Sequence, residues 1–85
     1  MEYILTHNLN GVENDFHCSS VQEVKAHVNQ VIIANKKNIE IGVMHDLKLN
    51  DWHDENGVLT CEFFIYEKDG RENHHTFQVK EKTYF

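Results

Sequence analysis

The sequence predicts an α+β two-layer sandwich of order ββαβββ, with one helix packed on a mainly antiparallel sheet. Three observations carry this. Two turn signals, Asn10-Gly11 and Asp69-Gly70, each separate stretches of alternating apolar and polar residues. One stretch after Ser20 has apolar residues at helical spacing. The chain has 85 residues and no Pro, so a single domain covers 1–85 and no Pro-rich linker divides it.

Tyr3 to Asn8 reads as a strand and Val12 to Cys18 as its partner. Asn10-Gly11 suits a two-residue turn in which both central residues take φ > 0. The resulting register sets Leu9 opposite Val12, Leu5 opposite Phe16 and Tyr3 opposite Cys18, all on one face. Ser20-Val21-Gln22-Glu23 is a capping box, so a helix is expected from about Val21 to Asn35. Val21, Val24, Val28, Val31 and Ile32 form its apolar stripe. β-branched residues make it a weak helix by itself, and packing on the sheet has to hold it. Lys36 and Lys37 suit its C-terminal end, with Asn38 as the closing left-handed residue.

A third strand is expected from Ile39 to Leu49. Ile39, Ile41, Val43, His45, Leu47 and Leu49 alternate with Glu40, Gly42, Met44, Asp46 and Lys48. The polar run Asn50 to Asn56 reads as a loop. Val58 to Glu67 and Arg71 to Lys82 complete the sheet. A three-residue loop, Lys68 to Gly70, pairs Cys61 with Phe77 and Leu59 with Val79, which aligns the apolar faces; a two-residue turn does not. The expected turn is therefore type I with a Gly bulge.

Apolar residues make up 40% and charged residues 26%, as in a soluble globular protein. The net charge of −6 disfavours direct contact with nucleic acid or an anionic membrane and suits a basic protein partner. The start of the chain lacks an export signal, so the expected compartment is cytoplasmic. Cys18 and Cys61 then read as reduced, small core residues; a disulfide between them is the alternative.

Two candidate contact regions stand out. The first is the acidic stretch with Asp46, Asp51, Trp52, His53, Asp54 and Glu55. There the Trp would be an anchor and the acids would meet Arg or Lys; equally, Trp52 folds back as a lid on the core. The second is the sheet face turned away from the helix, where Phe64, Tyr66 and His74 fall, near Thr60, Glu62 and Thr76. Seven histidines are present. His7, His45 and His75 share the helix-facing side with both cysteines in these registers, but with no zinc-motif spacing. The acidic stretch does not match an EF-hand either. His53 beside Asp51 or Asp54 is a weak catalytic pair, and no Gly-rich phosphate loop occurs, so no enzyme, metal or cofactor is expected.

The function expected from these features is protein binding. In the favoured form it is inhibition of a basic nucleic-acid-handling protein, whose positive surface the acids would occupy. Immunity proteins and phage anti-defence inhibitors offer an analogy of size and charge. The alternatives are a homodimeric structural or adaptor module using the Phe64/Tyr66 face, and a His-rich metal-binding domain.

Overall fold

A computed structural model describes residues 2–82. The elements are β1 (Glu2–Leu9), β2 (Val12–Cys18), α1 (Val21–Glu40), β3 (Met44–Glu55), β4 (Val58–Glu67) and β5 (Glu72–Lys82). The strands form one antiparallel sheet in the order β2-β1-β5-β4-β3. The helix leaves one sheet edge at β2 and delivers the chain to the other edge at β3, so it crosses one face, and among the described residues no element covers the second. Among the described residues no helix is long and apolar enough to cross a membrane.

The first and last hairpins have the expected registers. Leu9 faces Val12, Leu5 faces Phe16 and Tyr3 faces Cys18. Asn10 and Gly11 take φ of +52° and +93°, the signature of a type I′ turn. Cys61 faces Phe77 and Leu59 faces Val79. Gly70 sits at φ +90°, and Glu67 N–H donates to the Arg71 carbonyl across the three-residue loop (2.8 Å).

Ser20 caps α1 by accepting the Glu23 N–H. Glu23 reaches one residue further back than a capping box requires and accepts from the Ser19 N–H and hydroxyl. The helix does not stop at Asn35. It runs to Glu40, and Lys36, Lys37 and Asn38 all lie inside it. Its end is a Schellman motif: Gly42 N–H donates to Ile39 and Val43 N–H to Asn38, with Gly42 at φ +79°. Ile39 falls on the helical stripe that continues from Val28 and Ile32, and it packs on the core.

The strand expected from Ile39 therefore begins only at Met44. Ile41 and Val43 lie in the connection and are exposed. Nor is Asn50 to Asn56 a loop. β3 runs on to Glu55 and turns through Asn56-Gly57, at φ +55° and +84°, into a second type I′ hairpin.

The core lies between α1 and the sheet. Leu5, Cys18, Val24, Val28, Cys61, Phe63, Ile65 and Phe77 are buried there. Both cysteines are free. Burial pushes the Cys61 thiol up to about 11 and raises that of Cys18, so both stay protonated and unreactive.

Candidate functional site: the uncovered sheet face

Alternation along each strand fixes what the uncovered face carries. Cys61, Phe63 and Ile65 point at the helix, so Thr60, Glu62, Phe64 and Tyr66 point away. Cross-strand pairing then builds rows. Tyr66 lies between His45 and Glu72, Phe64 between Lys48 and His74, and Glu62 between Asn50 and Thr76.

Glu62 is the hub. Its Oε1 accepts from Asn50 Nδ2 (3.1 Å), and its Oε2 lies 2.8 Å from His74 Nε2. These two hydrogen bonds, Asn50 first and His74 second, hold the Glu62 carboxyl below its ordinary range. The His74 ring stacks on Phe64 with centroids 4.2 Å apart and planes 9° apart. Lys48 Nζ stands 5.7 Å from the centroid of Tyr66, and His45 stacks beside the same ring at 6.0 Å. Phe64 and Tyr66 are half-buried. Next to His74 the face dips into a shallow polar depression of about 270 Å³, lined by Thr6, Asn8, Glu13, His74, Thr76 and Gln78.

Of the residues picked from sequence, Phe64, Tyr66 and His74 thus come together. The acidic stretch does not join them as a unit. Two bulges in β3 decide this. Asp46, at φ +53°, is an extra residue between His45 and Leu47. It turns His45 to the uncovered face beside Tyr66, away from the helix side expected for it. Asp51 and Trp52 together occupy the place opposite Cys61, between the Asn50–Glu62 and His53–Thr60 pairs. That sends Trp52 to the covered face, where it packs on the core. It lines a small apolar pocket with Tyr3, Val21, Val24 and Leu59.

Trp52 is therefore the lid on the core rather than an exposed anchor. This indole closes the covered face near the end of β3, beside the first turn of the helix. The acids around it serve local geometry. Asp51 Oδ1 accepts the Trp52 N–H (2.7 Å). Asp54 Oδ1 accepts the Gly57 N–H in the turn (2.8 Å). Glu55 lies 3.6 Å from His53. His53 faces Thr60 on the uncovered side, and the Asp51 carbonyl accepts from its Nδ1 (2.9 Å). That bond, and then Glu55, raise the His53 pKa. Asp46 stands near the opposite end of the strand, about 25 Å from Asp54 at ordinary strand rise.

Sequence reasoning missed Glu62 and Asn50 as the centre of the patch. The second Asn-Gly turn is only part of the signal: read as a two-residue hairpin, Asn56-Gly57 sets Asp51 opposite Glu62, and the bulge at Asp51 and Trp52 then brings Asn50 to that place. Of the three histidines expected on the helix side, His7 and His75 are there. Their rings approach through His7 Nε2 and His75 Nδ1 (2.9 Å). Among the described residues no group of three His, Cys, Asp or Glu side chains is placed to hold a metal ion. An open face with hydrogen-bonded carboxylates, stacked rings and amides has the composition of a surface that meets another surface.

Comparison with protein-family profiles, with curated proteins and with solved structures returns no match.

Proposed function

We propose that this chain is a protein-binding module that docks a basic protein on its uncovered sheet face, and that it acts by inhibition. The partner would be a nucleic-acid-handling protein whose positively charged surface the module occupies. The observation that carries the reading is the Glu62 patch. A carboxylate held ionised by Asn50 and His74 sits beside the half-buried rings of Phe64 and Tyr66, on a face with no helix over it. Aromatic rings supply buried contact area and the acid supplies register against Arg or Lys. The overall charge of −6 steers such an encounter. Asp51, Asp54 and Glu55 contribute to the field rather than to the anchor. Two free buried thiols fit a reducing compartment such as the cytoplasm.

The test is affinity capture from the source cell with mass spectrometry, run with the native chain and with Glu62→Lys and Phe64→Ala. A basic protein held by the native chain, lost with both variants and displaced by a DNA duplex supports the proposal. A partner that both variants retain moves the site elsewhere. A partner that DNA does not displace removes the inhibition of nucleic-acid handling. Recovery of this chain alone favours a homodimer through the Phe64/Tyr66 face.

A further inference from the structure

The two edges of the sheet differ. β3, at one edge, carries two bulges and a left-handed Asp46, devices that keep a second strand from pairing. β2, at the other edge, is seven residues long and pairs with β1 without a register shift. Every β2 residue except Cys18 is exposed. Because Leu9 and Val12 close a two-residue turn, Val12, Asn14, Phe16 and Cys18 direct their backbone groups to β1. Glu13, Asp15 and His17 direct theirs outward, where no strand lies beyond β2 among the described residues.

We infer that β2 is a self-association edge, pairing antiparallel with β2 of a second copy about a two-fold axis through Phe16. The side chains select that register. Centred on Phe16, Asp15 faces the His17 of the second copy, twice by symmetry. Centred on Asp15, two aspartates meet directly; centred on Asn14, Glu13 meets Asp15. Like charges directly opposite each other destabilise a ladder, so of these three registers only the one centred on Phe16 keeps the acids apart. Thr6 Oγ1 donates to Asp15 Oδ1 (2.8 Å), which positions this carboxylate and leaves Oδ2 to accept from an imidazole N–H.

The helix side of the same register is aromatic at its centre. Phe16 meets its own copy as a non-hydrogen-bonded pair, the closer kind, with Cα atoms about 4.5 Å apart. Each Phe16 is about a third exposed (36%) and already backed by His27, with ring centroids 4.3 Å apart. About four backbone hydrogen bonds close the ladder, two from each Asp15–His17 pair. Both helices then lie on one face of a ten-stranded sheet, and the two Glu62 patches lie on the other.

Sedimentation velocity over a concentration series of the full chain tests it, with His17→Asp and the exchange variant carrying both Asp15→His and His17→Asp. The native chain is expected to show a monomer–dimer equilibrium. His17→Asp sets two acid pairs face to face and should weaken it about tenfold. The exchange variant restores opposite partners and should recover most of that loss. Phe16→Cys, on the axis, should cross-link to a covalent dimer under mild oxidation, whereas Val12→Cys should not, being far from its symmetry mate. A native chain that stays monomeric at every concentration, a His17→Asp variant that dimerises as well as the native chain, or an exchange variant that fails to recover would each overturn the inference.

Discussion

Phe63 and Phe64 are neighbours on β4, as His75 and His74 are on β5, and the register pairs them across the strands as Phe63–His75 and Phe64–His74. Both pairs stack, at 4.4 Å and 11° on one face and 4.2 Å and 9° on the other. The same two residue types, in nearly the same geometry, have opposite surroundings. On the covered side Phe63 is fully buried, and His75, 6% exposed, has His7 as its polar partner. On the open side His74 lies against Glu62 and solvent. A cross-strand Phe–His pair therefore has no fixed meaning in this sheet. What lies over it makes it part of the core or part of a contact surface.

The largest test of that contrast is truncation of each ring. Phe63→Ala should cost about 3–5 kcal/mol, because a fully buried ring leaves a cavity between α1 and the sheet. Against a total stability on the order of 5–10 kcal/mol for a domain of this size, that leaves a marginal fold. Phe64→Ala should cost about 1 kcal/mol, the loss of a half-buried stacked contact. Urea denaturation of the two variants checks this, and equal midpoints would mean that the faces are not distinct.

Acid tests the covered pair next. Burial, and then the neighbouring His7 and His74, push the His75 pKa down from 6.5 to about 4. Burial also lowers that of His7. A depressed histidine folds neutral, so the unfolded chain binds the proton more readily. The stability that His75 contributes is complete above pH 6.5 and is lost as pH falls from there toward 4. This depression corresponds to at most roughly 3 kcal/mol. His75→Phe should flatten most of this loss between pH 7 and 4.5, with a remainder from His7. Thermal melts across that range read the difference.

The pairing of these faces was legible in the sequence where two signals agreed. At Asn10-Gly11 and at Lys68 to Gly70, turn chemistry and apolar alternation pointed to one register, and that register placed Phe64, Tyr66 and His74 on the open side. Ile39 was ambiguous because it satisfies two periods at once: it continues the alternation toward Leu49 and also the helical stripe from Val28. Packing on the core decided for the helix. The polar run after Leu49 hid a strand because an edge strand with an open face needs few apolar residues. Its bulges hid the rest. No composition rule shows that Asp46 is an extra residue, yet that one insertion moves His45 to the other face, and the bulge at Asp51 and Trp52 moves the indole to the core.

Trp52 sharpens the comparison because it stands in the acidic stretch by sequence and on the covered face by structure. Trp52→Ala should lower stability by about 2 kcal/mol, since a half-buried indole no longer closes the corner over Val24 and Leu59. The same variant should retain the partner with unchanged affinity. A loss of binding with no loss of stability would return the contact site to the acidic stretch.

The smallest expected effect on folding, and the most specific one on binding, belongs to Glu62→Gln. The amide keeps the shape and can still accept from Asn50, so stability at pH 7 should change by less than about 1 kcal/mol, as for other partly exposed ion pairs. The native Glu62 carboxyl titrates below its ordinary 4.5. Its contribution to stability is therefore present above that pH and fades as pH falls through the folded value, a window below the one in which His75 acts. Removal of the charge should leave the His75 acid loss intact and abolish only this lower step. Affinity for a basic partner should fall about tenfold, and its salt dependence should weaken, because a fixed carboxylate no longer meets Arg or Lys. Isothermal titration at two salt concentrations measures both quantities. Unchanged affinity with an unchanged salt dependence would show that the open face recognises its partner through the rings alone.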